Sequence, residues 1–508
     1  MPDRLTARPP DRLIDDCLST RNGHLFIEQC DTTELVSRFG SPLFVISEDQ
    51  LRRNVRRFQA AFASGWPDGP VKVLPAAKAN WIAAVQHILA SDGCGCDVYS
   101  AGELTVALQA GFEPQYISVN GVPKDDEHIY RCVHEGVRIT IDSVEEVDAI
   151  ERAATALDRV ATVRLRLKPA LAGFVRHSEF VAEGLVPTDI AALAYKGGLA
   201  FDDAVAVGRR LLAMEHVELV GFHQHHGRHH RSLRYWEEQM RAFAAEIARV
   251  GEALGGYRPR EIDIGGGFAI PRDPFNAVTN YTEPLQLAVL HTLSKGLRVV
   301  GRRGRYGVLR QLVDLFASKP NATPAPSIED YARVCTETLR DALHRVGIAT
   351  EGLLLELEPG RSIHGDAGIH LTTVRSIKRM THPIRFNLVV VDSTEFWLTG
   401  GRYEHHLHDY VFANKTDAPL EDKADIIGRS CFGDRLMPLV RIPQVEVGDL
   451  LALLDTGAYQ EVSTSNFNAL PRPATVLVTG DQAVIIRRAE TETDVLCRDV
   501  LPEHLGGG

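Results

Sequence analysis

The stretch EIDIGGG (261–267) reads as a short apolar strand that runs straight into three glycines. Glycines at a strand end leave backbone N–H groups with no side chain in front of them, which suits an anion. Working outward, seven more β-branched or apolar runs of similar size recur: VKVLPAA (71–77), CDVYS (96–100), YISVN (116–120), RITID (138–142), TVRLRLK (162–168), VELVGFHQH (217–225) and LLLELE (353–358). Between most of them lie amphipathic segments such as Ala101–Gly111 and Ser143–Leu157. Strands alternating with helices predict parallel βαβ units, and the count of eight predicts a closed (β/α)8 barrel. After Gly365 the texture changes to runs such as Gly368–Met380, Phe386–Asp392 and Asp449–Leu454, separated by turns. That pattern predicts a mostly antiparallel β-domain built from both termini, with the strand-like HLFIE (24–28) joining it. The expected division is an N-terminal part of the β-domain over 1–40, the barrel over 41–367 with a long insertion at about 270–328, and the C-terminal β-domain over 368–508.

The composition narrows the function classes. The chain has 508 residues, 56 Lys+Arg and 67 Asp+Glu, for a net charge of −11. A general nucleic-acid or anionic-membrane binder would show a basic excess instead, so neither is expected as a partner. There is no run of 18 apolar residues, so no transmembrane helix is expected. The start MPDRLTARPPDRLIDD lacks the apolar core of a secretory signal. Eight scattered cysteines without paired CxxC spacing predict reduced thiols in a cytoplasmic protein.

In a (β/α)8 barrel the working residues stand at the C-terminal strand ends. Those ends give Lys78, His225, Gly265-Gly266-Gly267 and Glu358-Pro359-Gly360-Arg361. A lysine facing a phosphate cradle suggests a Schiff-base cofactor, and pyridoxal phosphate supplies both the aldehyde and the phosphate. Glu358 is placed to pair with a protonated pyridine nitrogen and His225 to stack on the ring.

The motifs FGSPLFVISEDQLRRNVRRFQAAF (39–62), AAKANW (76–81), CDVYSAGEL (96–104), HQHHG (223–227), DIGGGFAIP (263–271), LELEPGRSI (355–363), SCFGD (430–434) and DTGAYQEVSTSNFN (455–468) follow one another over nearly the whole chain. In this order they resemble the fold-type III pyridoxal-phosphate-dependent amino-acid decarboxylases, the group of diaminopimelate, ornithine and biosynthetic arginine decarboxylases. The resemblance implies a barrel plus a β-domain and decarboxylation of an amino acid or a derivative of one. It implies that Lys78 carries the cofactor, His225 stacks on its ring and Glu358 keeps the ring nitrogen protonated. Gly265, Gly266, Gly267, Gly360, Arg361 and Tyr459 would hold the phosphate. Cys431 would reprotonate Cα in the partner subunit's site, so a homodimer with shared sites is implied.

Two departures bear on the substrate. Arg228 stands where the family has a phosphate-binding serine, and it would bind phosphate differently. The relatives carry an acid directly after the cysteine, which reads the distal amine of the substrate; here that position is Phe432 in CFGD. Poor turnover of diaminopimelate, lysine and ornithine is therefore expected, and better turnover of a substrate whose far end is apolar, acidic or carrier-bound. Arg402 is a candidate partner for a carboxylate tail; Asp434 is a candidate substrate contact, and Glu395, Glu404 or Asp434 is the alternative acid that would read an amine in place of the missing one. The run Lys295–Arg310 has six Lys/Arg and no acid; a solvated face is the simplest reading, and attraction of an anionic tail the sharper one. The cluster His223, His225, His226, His229 and His230 lacks clean ligand spacing, and no metal is expected. The alternatives are a racemase or epimerase of the same fold and a non-catalytic, decarboxylase-like regulator.

Overall fold

The computed structural model describes residues 16–168, 196–225, 227, 231–270, 325–381, 386–399 and 408–505. The described residues between Leu51 and Gly365 form one compact unit, and those up to Gln50 and from Asp366 onward form another.

The second of these begins with a small antiparallel sheet of β1 (Leu18–Arg21), β2 (His24–Ile27) and β3 (Cys30–Asp31). It is followed by β4 (Leu43–Ser47), whose five residues are all buried.

The barrel unit contains β5 (Val71–Val73), β6 (Cys96–Val98), β7 (Ile117–Val119), β8 (Arg138–Ile141), β9 (Ala161–Arg166), β10 (Val217–His223), β11 (Glu261–Asp263) and β12 (Leu354–Leu357). They are ordered β5-β12-β11-β10-β9-β8-β7-β6, and each neighbouring pair is parallel. A parallel bridge between Ala76 and Asp97 joins the two ends and closes the barrel. All eight expected strands are present; seven are trimmed by one to four residues, and the one expected over 162–168 is shifted to Ala161–Arg166. Pro75 follows β5, and the chain turns there into a 3-10 helix over Ala77–Ala79 that carries Lys78. Local signals set the helices between strands. Ser100 accepts from the Glu103 amide to start Ala101–Ala110, and Gly111 ends it at φ 88°. Asp125 and Gly136 do the same for Asp126–Glu135.

The remaining strands are β13 (Gly368–Met380), β14 (Phe386–Val391), β15 (Tyr410–Phe412), β16 (Asp422–Ile427), β17 (Arg435–Ile442), β18 (Leu450–Leu453), β19 (Ala474–Thr479) and β20 (Gln482–Arg487). With β4 they form a mixed nine-stranded sheet, mostly antiparallel, whose backbone order is β17-β16-β14-β13-β4-β19-β20. β4 lies between β13, antiparallel, and β19, parallel. This differs from the expected barrel start at residue 41: Leu43–Ser47 belongs to the mixed sheet, and the barrel unit begins at Leu51. HLFIE pairs in the small sheet, and Leu25 and Ile27 pack in one core with Leu43, Val45, Ile369 and Leu371. Among the described residues no helix is long and apolar enough to cross a membrane.

Candidate active site

The barrel lumen is charged where such barrels are usually filled by branched apolar side chains. Arg138 on β8 binds Glu356 on β12 at 2.9 Å and also holds Glu261 on β11. Arg164 on β9 binds Glu356 at 2.5 Å and stands 2.7 Å from Asp263 on β11. Strands β8 and β12 are not neighbours in the sheet, so these pairs cross the interior. All five groups are buried, and each charge is paired there.

Above this layer the strand ends line a cavity of about 200 Å³, with Lys78, Asp97, Asn120, His223, His225 and Glu358 around it. Lys78 Nζ lies 3.2 Å from Asp97 Oδ2. Asn120 Nδ2 donates to Asp97 Oδ1 at 2.7 Å and to Glu358 Oε1 at 2.6 Å. His223 Nε2 faces Glu358 Oε2 at 3.1 Å. Burial holds the His223 imidazole down to about 3, so it is neutral and its Nε2–H donates to the carboxylate. Burial, and after it Asp97, push the Glu358 carboxyl upward, while Arg164 pulls it back.

The glycines have geometric reasons. Gly265 and Gly267 sit at φ 66° and 111°, which favours glycine. A Cβ on Gly266 would stand 2.1 Å from the Glu358 carbonyl oxygen. Asp263 Oδ1 accepts the Gly265 N–H at 2.7 Å, and the Gly266 N–H approaches His225 Nδ1 at 3.4 Å. Gly360 precedes the short helix Arg361–His364, and Arg361 is buried. A lysine and a buried carboxylate around one cavity, with a glycine turn free of side chains next to His225 and Glu358, fit pyridoxal phosphate.

The profile of the pyridoxal-dependent decarboxylases, pyridoxal-binding domain, matches residues 48–309. The chain belongs to this family. A diaminopimelate decarboxylase of Archaeoglobus fulgidus is 30% identical over 96% of this chain and 99% of its own length. One from Methanothermobacter thermautotrophicus is also 30% identical, over 98% and 99%. The crystal structure of the diaminopimelate decarboxylase from Methanocaldococcus jannaschii in complex with L-lysine superposes with a TM-score of 0.79, at 26% identity, over 96% and 99% of the two chains. This decarboxylase is a carboxy-lyase that uses pyridoxal phosphate to decarboxylate an amino acid. These relatives are all decarboxylases, and nothing among them favours the racemase or the regulator.

Of the expected site residues, the barrel brings Lys78, His225 and Glu358 to one cavity, beside the glycine turn. Arg228, Arg402, Glu404, His226, His229, His230 and the run Lys295–Arg310 lie outside the described residues. On the β-unit Cys431 is exposed, its Sγ accepting from Asn468 Nδ2 at 3.1 Å. Phe432 is 54% exposed and packs edge-on to Phe396, with centroids 6.0 Å apart; Phe396 stacks on Phe467 at 4.2 Å. Tyr459 sits at φ 64° in the TGAY turn. Asp434 differs from the expectation. It is 1% exposed, and its oxygens accept from Thr394 Oγ1 at 3.0 Å and from the Glu395 and Ser430 amides at 2.6 Å each. Its carboxylate organises its own loop, which removes it as a substrate contact.

Asp97, Asn120, Asp263 and Arg164 were not singled out from the sequence. Their signal was present at the strands: a polar residue where a barrel strand points into the lumen calls for a partner.

Proposed function

We propose that this decarboxylase acts on an amino acid whose far end is apolar, acidic or joined to a larger group. The observation that carries it is the Phe396–Phe432–Phe467 cluster beside Cys431, with Asp434 of the same loop turned inward. An ammonium buried against phenyl rings without a carboxylate is disfavoured by several kcal/mol. An apolar or conjugated tail is not. For an acidic tail, Arg402 and the basic run Lys295–Arg310 are the candidate partners.

In this reading Lys78 forms the covalent link to the cofactor, and His225 packs on its ring. Gly265, Gly266, Gly267, Arg228, Gly360, Arg361 and Tyr459 hold the phosphate. Bound pyridoxal phosphate supplies an electron sink for the pair left at Cα when CO2 departs. Glu358 holds the proton at the ring nitrogen, with Asn120 and neutral His223 orienting its carboxylate. Cys431 of a second copy delivers the proton to Cα, so the active form is a homodimer. Eight free cysteines support a cytoplasmic setting.

Steady-state kinetics on meso-diaminopimelate, lysine and ornithine, beside N-acylated, acidic and apolar analogues, test the substrate class. A kcat/KM for any of the three diamines near ~10⁴ M⁻¹s⁻¹ overturns it.

A further inference from the structure

The charged chain inside the barrel ends at the carboxylate that the cofactor needs. Arg164 has no exposed surface. Its Nε donates to Thr140 Oγ1 at 2.9 Å and its Nη1 to Glu356 at 2.5 Å. Its Nη2 stands 2.7 Å from Asp263 Oδ2 and 3.6 Å from Glu358 Oε1. Glu356 is held from its other side by Arg138, so the guanidinium is fixed in place by a partner that is itself fixed.

Glu358 is surrounded on all sides by groups that bear on its charge. Asn120 and His223 donate to it, Asp97 and Asp263 oppose its ionisation, and Lys78 and Arg164 favour it. Lys78 is committed to the cofactor link. Arg164 is the cation that keeps its place throughout.

We propose that Arg164 is a positioning residue for Glu358, fixing its carboxylate as an anion aimed at the ring nitrogen of bound pyridoxal phosphate. The proposal rests on the reading that Glu358 meets that nitrogen. Asp263 shares the same guanidinium and accepts the Gly265 N–H, so one buried cation ties the nitrogen's partner to the glycine turn. A Lys at this position would keep the charge, yet its single ammonium lacks the fork that reaches Glu356 and Asp263 together.

The test is the protonation state of the ring nitrogen, read by ¹⁵N NMR on holoenzyme loaded with ring-labelled cofactor, as a function of pH. Arg164→Met combined with Glu356→Leu removes one charge of each sign, which leaves the net charge of the lumen unchanged and the fold checkable by circular dichroism. In this variant the nitrogen is expected to lose its proton at least about one pH unit below wild type, a tenfold change in its protonation constant. Arg164→Lys should shift it in the same direction by less. If both variants fold, load cofactor and titrate as wild type does, the proposal is overturned. Glu358→Gln separates the two readings. If it shifts the titration while the Arg164 variants do not, the role of Arg164 alone falls. If it leaves the titration unmoved, the placement of Glu358 falls and the proposal with it.

Discussion

Asn468 holds Cys431 at two points: its Nδ2 donates to Sγ at 3.1 Å, and its Oδ1 accepts the Cys431 amide at 2.9 Å. The pair fixes both the backbone and the rotamer of an exposed thiol. Asn468→Ala should free that rotamer and lower kcat by about tenfold with little change in KM, because proton delivery by a positioned group contributes roughly 10²–10⁴-fold. Cys431→Ala should lose about a hundredfold or more. Equal kcat for wild type and Asn468→Ala would show that the grip does not matter to turnover.

Restoring an acid tests the aromatic cluster. Phe432→Glu puts a carboxylate where the diamine-acting relatives have one. Its kcat/KM for lysine or ornithine should rise at least about tenfold over wild type, equivalent to about 1.4 kcal/mol of recovered pairing. Turnover of apolar-tailed substrates should fall in the same assay. An unchanged ratio between the two substrate types would break the link between Phe432 and selectivity.

Gly266→Ala would drive a methyl group into the Glu358 carbonyl, where backbone meets backbone. Overpacking of this kind costs about 1–3 kcal/mol, released here by moving the glycine turn. The variant is expected to remain folded while releasing pyridoxal phosphate faster on dialysis. Cofactor retention equal to wild type would contradict the phosphate role of this turn.

His364 is buried, and neither ring nitrogen has a hydrogen-bond partner among the described residues. Burial lowers its pKa from 6.5 to about 3. The unfolded chain therefore binds a proton that the folded chain refuses, and stability is lost as pH falls below the unfolded value. His364→Leu should raise the melting temperature at pH 5 more than at pH 8, since this single group contributes up to about 1.4 kcal/mol per pH unit in that window. Parallel shifts at both values would rule the titration out as the cause.

Shared sites predict complementation. Lys78→Ala lacks the cofactor link and Cys431→Ala the proton donor, so each alone should be nearly inactive. Mixing them under conditions that exchange subunits should restore some activity, because one hybrid site has both groups. No recovery would argue for sites built within one chain. Borohydride reduction of wild type, followed by peptide mapping, should label Lys78.

The strands and their C-terminal ends were legible because each reads locally: an apolar run, then a lysine, a histidine, a glycine turn or an acid. The residues behind them were not. Arg164 and Glu356 sit on β9 and β12, 192 positions apart, and only barrel closure makes them partners. The barrel was expected to begin at residue 41, ahead of β4, for a related reason. LFVIS before the helix Glu48–Gly65 looks like the start of a βα unit, and its apolar pattern is the same in either sheet. Strand pairing decides between them, and its partners lie in the last third of the chain. Asp434 read as available because sequence does not show which acids a loop consumes in tying its own amides.

The position of β4 also sets the timetable of synthesis. Leu43–Ser47 leaves the ribosome early, while β19, one of its two flanking strands, follows roughly 430 residues later. At translation rates of about 5–20 residues per second, this largely apolar segment waits some 20–90 seconds for that neighbour. The barrel unit emerges and can close in the interval. Until β13 emerges the nascent chain exposes an unpaired sticky strand at its head, and until β19 follows that strand keeps one open edge, the kind of segment chaperones capture. A ribosome stalled before residue 474 releases a chain that retains the whole barrel unit but still bears that uncovered edge.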